Sequence, residues 1–339
     1  MKLAFLSLPE RERQLYFQQA AARRNISAIL LEKDFWVCWL LAVLFRSRFH
    51  DSLVFKGGTS LSKVFGVIDR FSEDIDLSLS PALLNLPGAG TTRNQADKWM
   101  KQAEEACATA VRARLQPFLE AEAHAALGQP GGGEWLEFVA DPLSGSPTLL
   151  FHYPSHEPPG LAYLRRSVKV EFGSLTDQQP VGLHDVRPWI MDALPDVMPD
   201  WQCNVVALGL DRTFWEKATI LHVEHHRPPD KPMPDRFSRH YADVAALARH
   251  PAAQPAIADH DTCARVAAWK RLFFGSSWAS YDTARPGSIR LLPRDERLPA
   301  LRRDFVAMRD MYLGDAPSFD GVLTTLAALE QRINLPSSA

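Results

Sequence analysis

The sequence has no closely spaced cysteines, no long apolar run and little net charge. Its four cysteines stand singly along the chain, which excludes a zinc ribbon and a CxxC redox motif and favours reduced thiols in a cytoplasmic protein. The longest apolar run, residues 35–45, is too short to cross a bilayer, so no membrane association is expected. A net charge of −2 excludes a strong overall attraction to nucleic acid. Any RNA contact therefore needs local basic clusters.

Apolar spacing and turn residues predict an order of helices and strands. Helices are expected from Ser7 to about Arg24, from Ser27 to about Phe49, over residues 59–67, and from Asn94 to about Glu122. Short apolar or alternating runs predict strands at residues 53–55, 75–79, 136–139, 148–152 and 167–172. From residue 211 onward the pattern is mainly helical. We therefore predict two domains, residues 1–202 and 203–339.

A glycine turn followed by two carboxylates is the most informative feature. Residues 56–63 read Lys-Gly-Gly-Thr-Ser-Leu-Ser-Lys, at the end of a predicted strand and the start of a predicted helix. Glycines let the backbone approach a phosphate closely, and a helix start presents free N–H groups to it. Asp74 and Asp76 alternate on the next strand, so they share one face and repel each other unless a cation lies between them. Oxygen ligands beside a phosphate site favour Mg²⁺.

Two common motifs do not fit this stretch, and one structural alternative stays open. A calcium loop starting at Asp74 needs glycine and glutamate where Leu79 and Asn85 stand. The residues after Gly57 lack the spacing and second glycine of a Walker A loop. A simple salt bridge between Arg70 and Asp74 is the structural alternative.

Residues 55–61 (Phe-Lys-Gly-Gly-Thr-Ser-Leu) and 70–76 (Arg-Phe-Ser-Glu-Asp-Ile-Asp) resemble the AbiEii/AbiGii toxin family of nucleotidyltransferases. Residues 31–36, 214–218, 239–243 and 287–334 are similar to further parts of that family. The resemblance implies an α/β (α+β) fold with a polymerase-β-like mixed-sheet core, N-terminal helices and a mainly helical C-terminal domain that completes the active site. It also implies a toxin that uses Mg²⁺ to transfer NMP from an NTP to RNA, with the tRNA 3′ end favoured. A toxin–antitoxin or phage-defence system would supply a cognate antitoxin.

The residues expected at the nucleotide are Gly57, Gly58, Thr59, Ser60, Lys63, Arg70 and Ser72. Asp74 and Asp76 are expected to hold Mg²⁺, with Mn²⁺ as the alternative ion. The resemblance implies that Lys217 is a catalytic lysine at the triphosphate, while the structural alternative is a lysine at a helix edge. Asp243 is expected to orient Lys217 or a metal-bound water; the alternative is a helix ion pair with Arg239.

Several other residues have two interpretations. Glu171 either completes the metal site or pairs with Lys169 on an edge strand. Ser72 either bonds the backbone in a turn or is phosphorylated by a kinase-like antitoxin, as in some relatives. His222 and His226 suggest an alternative metal-dependent hydrolase, and AMP transfer to a protein is a further alternative for the predicted transferase site. Candidate RNA contacts are Arg165, Arg166, Lys169, Arg227, Lys231, Arg236 and Arg239.

Overall fold

A mixed β-sheet organises the chain in a computed structural model, which describes residues 1, 3–87, 92–140, 145–155 and 165–335. The strands are β1 (Leu53–Lys56), β2 (Ile75–Leu79), β3 (Leu136–Ala140), β4 (Pro147–Phe151), β5 (Val168–Gly173), β6 (Val181–Asp185) and β7 (Asn204–Leu208). They form one sheet in the order β3-β4-β5-β2-β1-β7-β6. β1 is antiparallel to β2, whereas β2 is parallel to β5. The predicted α/β class with a mixed sheet is confirmed.

Helices make up most of the remaining regular structure. Before the last strand they are α1 (Ala4–Ser7), α2 (Glu10–Arg24), α3 (Ala28–Phe45), α4 (Gly57–Lys63), α5 (Arg93–Ala110), α6 (Gln116–Leu127) and α7 (Ile190–Ala193). After it they are α8 (Leu210–His226), α9 (Ser238–Arg249), α10 (Gln254–Ala258), α11 (His260–Phe273), α12 (Leu298–Ala307) and α13 (Phe319–Asn334). No helix in the described part of the chain is long and apolar enough to cross a membrane.

The chain divides into two compact units. The first comprises Met1–Val64, Phe71–Gly88 and Trp99–Ala207, and it contains the strands of the sheet. The second comprises Phe65–Arg70, Ala89–Lys98 and Leu208–Ala339, and it is mainly helical. The division into domains at residue 202 stays a sequence prediction.

Helix α3 forms the centre of the first unit's core. Every residue from 30 to 45 is buried, as expected for a helix that is apolar on all sides. In the same core, β2 buries Ile75, Leu77 and Leu79. The predicted apolar positions of that strand are thus confirmed, but Ser78, on the predicted polar face, is also fully buried, whereas Asp76 is half-buried.

Some boundaries differ from the sequence prediction. Ser7 ends α1 and does not cap α2, whose N-cap is Pro9. Helix α3 ends at Phe45 because the chain turns at Arg46, and α4 begins at Gly57 rather than Thr59. The predictions missed β6 and β7. β6 is an edge strand in which Val181 and Leu183 are exposed, so it lacks the usual buried alternation.

Candidate active site

The turn between β1 and α4 lies directly against Asp76. The antiparallel register pairs Lys56 with Asp76, so the next residue, Gly57, faces that side chain. A Cβ added to Gly57 would lie 2.0 Å from Asp76 Oδ2, and the Gly57 φ is +83°. Both the close approach and the positive φ require glycine. Gly57 and the Asp76 carboxylate are therefore packed directly against each other.

Asp74 and Asp76 flank the first buried position of β2. Ile75, between them, is fully buried, whereas both aspartates are half-buried. Because side chains alternate along an extended chain, the two carboxylates lie on the same face. Two anionic oxygen groups held together in this way form a donor set suited to a hard divalent cation.

Two hydroxyl groups of α4 stabilise the residues around the acidic pair. Thr59 Oγ1 donates to the carbonyl oxygen of Asp74 and lies 3.0 Å from Ser72 Oγ. Ser60 Oγ donates to the Gly57 carbonyl oxygen at 2.9 Å. The expected nucleotide-binding residues Gly57, Thr59, Ser60 and Ser72 are thus brought close to Asp74 and Asp76. Their hydroxyl groups also have partners within the protein.

Lys63 points into the interior of the first unit. Its ammonium lies 2.7 Å from Asp34 Oδ1 and 4.6 Å from the centre of the Trp189 ring. Burial lowers the pKa of Lys63, but the charge and hydrogen bond of Asp34 together with the neighbouring Cys38 outweigh burial, and the pKa is raised. The contact of Lys63 with a phosphate stays a prediction, whereas its ion pair with Asp34 is present in the structure.

Both interpretations of Glu171 have structural support. Parallel pairing of β2 with β5 places Glu171 opposite Asp76 in register. Lys169 Nζ also lies 2.8 Å from Glu171 Oε2, so the alternative ion pair is formed, but β5 lies between β4 and β2 and is not the edge strand that was expected. Among the described residues, no three His, Cys, Asp or Glu side chains are grouped so as to hold a metal ion. A metal site here would rest on the aspartate pair and on ligands from a substrate.

The second unit contains a buried cluster of three charges. Asp243 accepts two hydrogen bonds from the Arg70 guanidinium, Nε to Oδ1 at 2.9 Å and Nη2 to Oδ2 at 2.8 Å. Lys217 Nζ lies 2.9 Å from Asp243 Oδ2. The geometry agrees with a role for Asp243 in orienting Lys217. No ion pair joins Asp243 to Arg239 within the described chain, so that alternative is wrong. The catalytic role of Lys217 stays a prediction.

We expect Asp243→Asn to lower the free energy of unfolding by about 3 kcal/mol, because it leaves two buried cations without a counter-charge. Burial raises the pKa of Asp243, but Arg70 and Lys217 outweigh burial and hold the pKa well below its usual range. The stabilisation that the ionised Asp243 provides is therefore complete above the unfolded-state pKa of about 4, and it is lost as the pH falls below that value. Denaturant unfolding from pH 7 to pH 3 measures this. If the free energies of unfolding of wild type and Asp243→Asn differed as much at pH 3 as at pH 7, the Asp243 carboxylate would not be the source of this stability.

His222 is a structural residue rather than a metal ligand. Its Nε2 lies 3.0 Å from the Ser280 carbonyl oxygen, and its Nδ1 accepts the backbone N–H of Arg290 at 3.0 Å. Both ring nitrogens are therefore occupied, and the adjacent His226 Nδ1 contacts the carbonyl oxygen of His222. The hydrolase hypothesis built on His222 and His226 is not supported by this geometry.

Burial lowers the pKa of His222 to about 4 from 6.5. Since the unfolded chain takes up the proton first, stability should be complete above pH 6.5 and fall as the pH decreases towards 4. We expect His222→Gln to flatten this part of the profile, which thermal unfolding at a series of pH values would measure. A wild-type profile with the same slope as the variant would show that His222 does not bury a neutral ring.

The candidate RNA contacts have different environments. Arg165 and Arg166 are exposed just before β5, and Lys231 is exposed in the proline-rich stretch. Lys169 is paired with Glu171, and Arg227 Nε lies 2.6 Å from Glu224. Exposed arginines next to β5 are the members of this set best suited to contact a phosphate backbone.

Comparison with known proteins adds a family match. A family model described as "Nucleotidyl transferase AbiEii toxin, Type IV TA system" matches residues 39–325, a range that includes the glycine turn, the acidic pair, Lys217 and Asp243. Among solved structures, the nucleotidyltransferase toxin MenT4 of Mycobacterium tuberculosis is 19% identical, with 94% of this chain and 92% of that chain covered and a TM-score of 0.49. A search of curated proteins found no significant match.

Proposed function

Since the chain belongs to the AbiEii family of nucleotidyltransferase toxins of type IV toxin–antitoxin systems, we propose that it transfers a nucleotide from an NTP to the 3′ end of tRNA at Asp74 and Asp76. The family membership confirms the enzyme class and implies a nucleotide substrate and an antitoxin partner. The observation that carries the proposal is the contact between the Gly57 turn and the Asp76 carboxylate. A backbone turn able to approach phosphate lies beside an acid able to hold a cation.

The donor set fits Mg²⁺. This ion is commonly bound by one or two carboxylates, with substrate phosphates and waters completing the coordination, so Asp74 and Asp76 are sufficient protein ligands. Mn²⁺ accepts the same oxygen ligands. Glu171 is a third candidate ligand because it lies opposite Asp76, provided that it leaves Lys169. A bound divalent cation would neutralise the phosphates and lower the pKa of the acceptor hydroxyl.

The residues of the chain itself act mainly by positioning. Asp74 and Asp76 present their carboxylates on one face, and Thr59 fixes that arrangement through the carbonyl oxygen of Asp74. Ser60 fixes the Gly57 carbonyl, so the turn keeps its shape when a triphosphate binds. Pre-arranged groups of this kind accelerate a transfer because little reorganisation remains at the moment of reaction.

The tRNA acceptor follows from the family resemblance, and two exposed arginines support a polyanionic acceptor. Arg165 and Arg166 lie just before β5, the strand that neighbours β2. Their charges can displace counterions from an RNA backbone without selecting a base sequence. A protein hydroxyl is the alternative acceptor.

The experiment combines the protein, Mg²⁺ and each labelled NTP in turn with total RNA and with total protein. We expect label in tRNA, and we expect it to disappear when the RNA is first oxidised with periodate, which destroys the 3′ hydroxyl. Label in protein would overturn the RNA acceptor and support AMP transfer. Label that resists periodate would place the acceptor away from the 3′ end.

A further inference from the structure

Three adjacent charged residues lie inside the apolar helix α3. Glu32, Lys33 and Asp34 are each at most 3% exposed, although charged groups are rarely buried without partners. Each has a partner in the first unit; for Glu32 it is Ser155 Oγ at 2.7 Å. The partners of the other two include Glu73, which precedes Asp74, and Lys63, which ends the helix that starts at Gly57.

Lys33 contacts the segments that lead into two neighbouring strands. Its ammonium forms a buried ion pair with Glu73, the residue before Asp74, and donates to the Arg165 carbonyl oxygen at 2.7 Å. β2 begins at Ile75 and β5 at Val168, and the two strands are parallel. One side chain therefore fixes the entry to the strand with Asp76 and the entry to the strand with Glu171.

Asp34 fixes the helix that follows the glycine turn. It accepts hydrogen bonds from Lys63 Nζ at 2.7 Å and from the Trp189 backbone N–H at 2.6 Å. Lys63 is the last residue of α4, the helix that begins with Gly57. Lys33 and Asp34, which are consecutive in α3, thus contact the residue before Asp74 and the last residue of α4.

We infer that Lys33 and Asp34 are positioning residues, which set the distance between the aspartate pair and the glycine turn. This inference rests on the proposed function of that site. Two contacts hold the residues that lead into β2. Thr59 donates to the Asp74 carbonyl oxygen, and Lys33 forms an ion pair with the side chain of Glu73. Removal of a residue that orients metal-binding carboxylates commonly weakens metal affinity by about 10- to 100-fold.

The test separates positioning from simple stabilisation. Lys33→Met removes the ammonium, and the double variant Lys33→Met/Glu73→Leu replaces the buried pair by apolar side chains, which often restores stability. The control is Glu137→Gln, which removes the charge from the exposed His152–Glu137 pair of the same unit. Three quantities are measured for each full-length protein: the melting temperature, the affinity for Mn²⁺ by electron paramagnetic resonance, and the rate of nucleotidyl transfer.

We expect Lys33→Met to weaken Mn²⁺ binding about tenfold or more, and we expect the double variant to recover its melting temperature without recovering Mn²⁺ affinity. Asp34→Asn should raise the KM for NTP, and Glu137→Gln should change none of these values. Recovery of Mn²⁺ affinity together with stability in the double variant would overturn the inference and leave the proposed function standing. Wild-type protein that binds no Mn²⁺ would overturn both.

Discussion

Replacing Asp76 by asparagine is expected to lower the rate of nucleotidyl transfer by a factor on the order of 10³, because it removes the charge that balances a cation at the reacting phosphates. The amide keeps the size of the side chain and its place beside Gly57, so the fold should be preserved. The rate is measured as label transferred per minute at saturating NTP, and the fold is checked by circular dichroism.

The matched control is Asp51→Asn, which removes an exposed carboxylate just before β1. We expect this variant to transfer nucleotide at the wild-type rate. If Asp76→Asn kept most of the activity in the same assay, the acidic pair would not be the reaction centre, whatever the family of the chain.

Gly57→Ala is expected to abolish transfer and also to destabilise the protein. The new methyl group would lie 2.0 Å from Asp76 Oδ2, so the carboxylate or the turn has to move. The positive φ of this residue adds about 1–2 kcal/mol of backbone strain for any residue with a Cβ. The melting temperature and the transfer rate are measured together.

The control for Gly57→Ala is Gly128→Ala, which introduces a Cβ at a positive φ but no clash with another side chain. Gly128 has φ +79°, close to the value at Gly57, and apart from its chain neighbours no atom lies within 4 Å of the added Cβ. We expect it to lose stability but to keep the wild-type transfer rate. Equal activity losses in both variants would show that strain, rather than the Asp76 contact, explains the Gly57 result.

The site of the first unit was largely accessible from sequence because its parts are close along the chain. The turn at Gly57 and the aspartates of β2 are separated by fewer than twenty residues, and local patterns of glycine and alternating apolar residues predicted both elements. Their direct contact depends on the antiparallel register of β1 and β2, which pairs Lys56 with Asp76 and which the sequence did not specify.

Long-range partners were not accessible in the same way. Arg70 and Asp243 are 173 positions apart, and the sequence suggested Arg239 as the partner of Asp243. Helical and strand spacing predict ion pairs only between charges that are close in sequence. A buried carboxylate is instead stabilised most by a partner that can donate two hydrogen bonds, wherever that partner lies along the chain. The buried charges of α3 were missed for the same reason, since Lys33 and Glu73 are 40 positions apart. The only local signal was three charged residues at the start of an apolar run.

The two missed strands have a different cause. β6 is an edge strand with exposed Val181 and Leu183, so no buried face imposes the alternation that marks a strand. β7 pairs in parallel with β1 at Phe55 and Ala207, a contact between residues far apart in sequence. Parallel pairing leaves no hairpin turn to indicate it.

Anomalous diffraction from a crystal grown with Mn²⁺ and a non-hydrolysable NTP would show whether Asp74 and Asp76 share one divalent ion. We expect an anomalous peak within about 2.5 Å of an oxygen from each carboxylate, with the triphosphate beside Gly57. An NTP bound elsewhere, or a Mn²⁺ peak that neither aspartate contacts, would contradict it.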